Sequence, residues 1–543
     1  LGAKPFTQTD RSLYSFTTIR QKEFAMYRAI KLFLTATTLT AALAGCSVNP
    51  VTGETEFSLM SAEQEVALGS SNYGPSQQSQ GGRYYIDPDL QIYVREIGKK
   101  LAAVSDRPGL PYEFVVLNNS TPNAWALPGG KIAVNRGLLI HLKDESELAS
   151  VLGHEIVHAA ARHSAAQMTR GTFIGLGAAA LGAVGGNYGL GETGSQMAQM
   201  GAAAWMATYG RGDELEADAY GMEYLAKAGY DPYGAVRVQQ TFVKLSEGRQ
   251  QDFINGMFAS HPPSRARVEA NQAKAATLPK GVTNRTRYHQ KIAQLKRDKP
   301  AYEAEEAAIK ALNAKDTETA LAQLSKAIKI QPNESSFWEL RGHAWEMKKN
   351  STNAEKAFTT AIRKNPDLFS AYLYRGLVRF DKNNKTGAKA DLQKSYQLLP
   401  TPPAGFYLGE IALDSGDKQT AVRYFQTAAQ GNDELAKKAQ SRLAVLELST
   451  APHKYIASQA YVGDDGYLRI VVKNNSPVTV TSVKLQLAEM ANAYMVESST
   501  NLDGPKQLKS GQKATIKTPV GPIKDAEDVS RYRAKVVSVQ VAE

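Results

Sequence analysis

A chain of 543 residues is too long for one domain, and its 43% hydrophobic residues can supply several buried cores. The formal charge of +11 is mild and dispersed, with no compact Lys/Arg run, which argues against a nucleic-acid partner. The single cysteine, Cys46, excludes an internal disulfide.

Residues 1–25 precede Met26 and read as an over-extended gene start. Arg28 and Lys31 then form a basic region ahead of a largely apolar stretch, Leu32 to Ala44. That stretch is short for a bilayer span and suits a signal h-region, so 1–45 is read as start plus signal peptide. Leu43-Ala44-Gly45-Cys46 resembles a bacterial lipobox, which implies lipidation of Cys46 and a membrane tether. Ser47, by resemblance to enterobacterial sorting rules, implies the inner leaflet of the outer membrane, facing the periplasm.

Ser61 with Gln64 three residues later predicts a capped helix running to about Gly69. Asp87-Pro88 starts a second, to Ala103. Periodicity then turns two-fold. Tyr112 to Leu117 is a predicted strand, and Asn123 to Val134 reads as strand, tight turn, strand. Residues Asn123, Ala124, Trp125 and Ala126 are a candidate substrate-binding edge, which an extended peptide would join by β-augmentation. A hairpin that only packs is the alternative.

Glu145 to Met168 is rich in helix formers, with Asp144 and Glu147 as a capping pair. Inside it lies His154-Glu155-Ile156-Val157-His158. Histidines four apart on a helix face one point, and a glutamate between them can reach a water there. This is the spacing of a zinc hydrolase, with Glu155 as general base. Residues 171–210 are Gly/Ala-rich and read as two helices about a loop, either a lid or tightly packed small-residue helices. Next, Glu214 and Asp218 share a helix face. One carboxylate can bind zinc while the other accepts the free ring N–H of a ligating histidine. Glu216 is expected on the other side. A metzincin would need Gly at 161 and His at 164, where the chain has Ala161 and Ser164; His163, five residues past His158, points about 140° away from it and is expected either at the surface or behind a ligand.

HEIVH, then ELEAD, preceded by NAWALPGGKIAVNRGLL, closely resembles the gluzincin family of HtpX and the CAAX prenyl endopeptidases, in its periplasmic lipoprotein branch (BepA- and LoiP-like). The resemblance covers about Asn49 to Ala273. It implies one zinc per chain on His154, His158 and Glu214, Glu155 as base, and Asp218 behind a ligand. It also implies that His261 serves as a removable fourth ligand, and that His261 or Arg267 helps to hold the oxyanion. The substrates and partners it implies are unfolded or misassembled envelope proteins and the β-barrel assembly machinery.

Residues 281–300 read as a polar linker. Pro332, Pro366 and Pro400 then recur every 34 residues, as do Ala308, Gly342 and Gly376, and Ala327, Ala361, Ser395 and Ala429. That is the tetratricopeptide period, in four units across 301–445. Tyr372, Tyr374, Phe406 and Tyr407 line its groove or its core. Tyr467–Lys473, Val478–Leu487 and Ala534–Val541 alternate with period two, which predicts a small β-sandwich, Ig-like in pattern, over 452–543. The expected architecture is multidomain: an α+β gluzincin metalloprotease domain (46–280), an α-solenoid and an all-β sandwich. The expected function is a lipid-tethered zinc endopeptidase whose solenoid recruits substrate. The alternative is an assembly chaperone with a latent protease site.

Overall fold

The computed structural model describes residues 46–170, 209–247, 257–492, 494–523 and 526–542. The signal-peptide reading of 1–45 and the lid reading of 171–208 lie outside the described residues. The chain forms two compact units, 1–299 and 300–543. Among the described residues no helix is long and apolar enough to cross a membrane.

The first unit opens with a small hairpin, β1 (Cys46–Val48) against β2 (Thr55–Phe57). Helix α1 (Ala62–Ser79) starts on the expected capping box of Ser61 and Gln64 but runs ten residues past Gly69. Gly69 is not a stop. A Cβ there would run into the Pro128 carbonyl oxygen, so the glycine lets α1 press against the turn of the sheet. Helix α2 (Pro88–Ala102) is capped by Asp87 as expected.

The sheet has order β3 (Glu113–Leu117), β5 (Lys131–Asn135), β4 (Ala124–Leu127), with β3 parallel and β4 antiparallel to β5. Tyr73 of α1 joins Val115, Leu117, Trp125, Leu127 and Ala133 in one apolar cluster. After the short α3 (Arg136–Leu139) comes α4 (Glu145–Ala160), which packs on β4 and β5. Every residue of α4 is buried. A helix buried all round is a core helix, so its polar side chains must be satisfied internally. Arg162, at φ 63°, breaks the helix, and helical structure resumes at residue 163.

Helices α5 (Arg211–Lys227), α6 (Tyr233–Glu247), α7 (Met257–Ser260) and α8 (Arg265–Ala276) follow. The stretch expected as a linker is helical instead: α9 (Arg285–Lys291), then α10 (Ala293–Asn313) with Pro300 inside it. Tyr288 of α9 is fully buried and donates to the Leu139 carbonyl, so α9 belongs to the first unit's packing. Its polar composition hid this single aromatic anchor.

After α10 comes α11 (Thr317–Ile330), and in the second unit α12 (Ser335–Met347) packs on α13 (Ser351–Lys364), α14 (Phe369–Asp381) on α15 (Lys385–Leu398), and α16 (Pro402–Asp414) on α17 (Lys418–Ala428). The turn inside each pair repeats. Lys315, Lys349, Asn383 and Gly416 are left-handed, and Asp316, Asn350, Asn384 and Asp417 cap the second helix. The last member is 33 residues on, not 34. The fourth unit therefore slips by one, and Ala428 rather than Ala429 is fully buried beside Phe425.

Helix α18 (Glu434–Glu447) ends the solenoid. Beyond it two antiparallel sheets face each other. One is β6 (Ile456–Val462), β7 (Leu468–Asn474) and β11 (Lys513–Lys517). The other is β8 (Val480–Met490), β9 (Val496–Asp503), β10 (Gln507–Leu508) and β12 (Tyr532–Val541). Leu468, Ile470 and Val472 alternate into their common core. Ala444 and Leu448, in and just after α18, are buried in that same core.

Candidate metal centre

Helix α4 presents His154 and His158 one turn apart, their Nε2 atoms 3.0 Å from each other. Helix α5 lies across α4 where Gly153 meets Gly221; a Cβ on Gly221 would sit 3.2 Å from the His154 backbone nitrogen. This closeness carries Glu214 inward, with Oε2 3.6 Å from His154 Nε2 and Oε1 3.4 Å from His158 Nε2. His261 follows α7. Its Nδ1 is 2.9 Å from Glu214 Oε1 and 3.2 Å from His154 Nε2, and its Nε2 is 3.5 Å from Glu155 Oε1. All five residues are buried. One ligand atom from each of His154, His158, Glu214 and His261 falls within 4.8 Å of the others.

The donor chemistry fits a zinc ion. His154 Nδ1 donates to Asp218 Oδ1 at 3.0 Å, which fixes the tautomer and turns the Nε2 lone pair inward. Both oxygens of Glu155 are buried without a hydrogen-bond partner among the described residues, an arrangement that is costly unless something else meets them. Burial pushes the Glu155 carboxyl above its ordinary range, offset only in part by His261 and His154. Burial also drives the His158 imidazole well below its usual value, which keeps it neutral and able to ligate. For Glu214, burial is outweighed by His261 and His154, which hold its carboxyl far down. Burial opposes charge on His261 too, but Glu214 and Glu155 raise it.

Arg267 is placed differently from its expected role at an oxyanion. Its Nε and Nη2 donate to Asp218 at 2.7 and 2.8 Å, and its Nη1 lies 2.6 Å from Glu214 Oε2 and donates to the Pro262 carbonyl. The guanidinium thus clamps the two carboxylates that serve the centre, and against burial it depresses Asp218. Asn123, Ala124, Trp125 and Ala126 do lie at the sheet edge that β4 forms, beside α4. The side chains of all four are buried, and β4 is the edge strand of the sheet. Cys46 begins β1, paired with Phe57.

Three further residues stand beside His158 or behind it. The ring of Tyr209 stacks on it, centroids 3.8 Å apart and 17° from parallel, with its hydroxyl 3.1 Å from Ser164 Oγ. His163 is not at the surface but behind His158, buried with its Nδ1 2.9 Å from His158 Nδ1. Glu216 lies behind His163, Oε1 3.3 Å from its Nε2. The left-handed Arg162 redirects the chain one residue before His163. No signal in the sequence marks Tyr209.

The family model of peptidase family M48 matches residues 88–275, and that of the tetratricopeptide repeat matches 306–367 and 350–401. Metalloprotease YcaL of Escherichia coli (strain K12) is 30% identical over 250 residues, 44% of this chain and 94% of YcaL. The beta-barrel assembly-enhancing protease of Yersinia pestis is 31% identical over 240 residues, 41% of this chain and 48% of that protein. Its counterpart in Escherichia coli (strain K12) is 25% identical over 460 residues, 73% of this chain and 89% of its own length. In the first relatives matched, the alignment spans less than half of their length, as in the 48% for Yersinia pestis.

Proposed function

The chain belongs to peptidase family M48, and from that premise we propose that it is a zinc-dependent endopeptidase acting on protein substrates. The observation that carries the reading is the buried set of His154, His158, Glu214 and His261 beside a Glu155 carboxylate that has no hydrogen-bond partner among the described residues. Zinc bound there would supply Lewis acidity to a scissile carbonyl and to the attacking water. The chain's residues do the rest. Glu155, its carboxyl raised by burial, takes the water's proton on a carboxylate oxygen and returns it to the leaving amine nitrogen. Asp218, held by Arg267, keeps His154 in its ligating tautomer.

The finer reading is a lipid anchor on Cys46 at the inner leaflet of the bacterial outer membrane, with the active site in the periplasm. Unfolded or misassembled envelope proteins are the substrates. The tetratricopeptide solenoid recruits them, or the β-barrel assembly machinery, and substrate is laid along Asn123–Ala126. The lipobox-like sequence before Ser47 and the names of the relatives support this. A second reading, an assembly chaperone with a latent protease, is favoured by one observation: His261 already stands among the ligands.

One variant tests both. Glu155→Gln should keep one zinc per chain while cleavage of an unfolded protein falls by roughly 10²–10⁴-fold. Undiminished cleavage would sink the mechanism. If the same variant still restores envelope assembly in cells lacking the protein, the scaffold reading gains; failure of that rescue counts against it.

A further inference from the structure

His154 and His158 are supported from outside by different means. His154 meets a carboxylate directly, at Asp218. For His158 to turn its Nε2 inward, its Nδ1 must carry the proton and needs an acceptor. That acceptor is the Nδ1 of His163, 2.9 Å away. His163 can accept there only with its own proton on Nε2, and this atom lies 3.3 Å from Glu216 Oε1, in ion-pair contact rather than an aligned hydrogen bond. The same Glu216 oxygen accepts from Asn49 Nδ2 at 3.0 Å.

Asn49 is itself held. Its Oδ1 accepts from the backbone nitrogens of Val51 and Thr52, at 2.9 and 3.3 Å, which leaves Nδ2 facing the carboxylate. Its backbone closes the β1–β2 hairpin through Glu54 and Gly53. The helix break beside His163 is anchored to the same region. Arg162 donates to Ser47 Oγ, to the Met60 carbonyl and to Glu65. Asn49 and His163 are almost wholly buried.

We propose that Asn49, Glu216 and His163 form a chain of positioning residues that orients His158, so that the hairpin directly following Cys46 is a working part of the metal centre. This rests on the zinc reading above. The hairpin supplies the outermost donor, and each step of the chain fixes the proton of the next.

The test is zinc affinity of the full chain, measured by competition with a chromophoric chelator, so that it does not depend on turnover. His163→Phe keeps a flat ring of similar bulk and removes both nitrogens. Asn49→Asp keeps the turn acceptor and removes the donor. H163F should weaken zinc binding by about 10- to 100-fold, as loss of an outer partner does. N49D should weaken it in the same direction and less. The double variant should be no weaker than H163F alone, because both cut one chain. If H163F does not fold, Glu216→Gln takes its place in the same cycle. Folded variants with wild-type affinity, or losses that simply add, would overturn the inference. A wild-type chain that takes up no zinc would instead overturn the metal reading, and this inference with it.

Discussion

Arg267 shows how much of the centre is held by buried charge. Its side chain is 4% exposed and bridges Asp218 and Glu214, themselves 5% and 3% exposed. Substituting Met keeps much of the bulk and leaves two buried carboxylates without their cation. Arg267→Met is expected to cost about 3–5 kcal/mol, read as a lower denaturant midpoint of the metal-free chain. His154, Glu155 and His158 are legible as a candidate set because helical spacing brings i and i+4 to one point, whereas Glu214 reaches them through the close approach of α5 to α4. Arg267 could not be assigned its partners, since sequence distance says nothing about which carboxylate a loop arginine will find. For His163 the spacing leaves a surface place and a place behind a ligand both open, because a helical wheel assumes an unbroken helix and Arg162 breaks it.

At the scale of elements, capping signals were the reliable guide and glycine the unreliable one. Ser61, Asp87 and Asp144 each begin a helix as expected, because an N-cap acts through its own neighbours. Gly69 misled because close packing and helix termination favour the same residue. In the solenoid, neighbouring pairs are also joined by charge: Glu355 of α13 accepts from Arg379 and Lys382 at 2.8 and 2.7 Å. Lys382, then Arg379, holds its carboxyl below the ordinary carboxylate value. A depressed carboxyl contributes stability at pH values above its unfolded pKa of about 4.3, and that contribution is lost as pH falls through the lower folded value. Glu355→Gln should therefore cost about 1 kcal/mol or less at pH 7. The gap between variant and wild type should close on acidification below about pH 4, in paired thermal melts.

For the whole molecule, the chain forms two compact units, and among the described residues the candidate metal ligands lie in the first. A ligand that binds the folded state alone stabilises it by about 2.7 kcal/mol at a hundred times its dissociation constant. Adding a strong chelator should lower the melting transition of the peptidase unit and leave that of the repeat unit where it was, by calorimetry. The three-part architecture was readable because each part has its own period: 3.6, 34 and 2 residues. Where the parts meet was not, because α9 and α18 have ordinary polar surfaces and are tied in by Tyr288, Ala444 and Leu448.

Those last two side chains bear on a general problem of stacked repeats. Every layer of such a stack buries its face on the next, so the final layer needs something to close it, commonly a helix with a polar outer side. Here the β-sandwich closes it: α18 gives Ala444 and Leu448 to the sandwich core instead of to solvent. The C-terminal region is thus the end-stop of the solenoid, and the two should fold as one cooperative body. A chain cut after residue 447 would open this seam, strip Ala444 of its cover and leave the repeats prone to self-association, visible as a concentration-dependent increase in sedimentation rate. A cut in the exposed Tyr494–Val496 hairpin tip, far from that seam in sequence, would not.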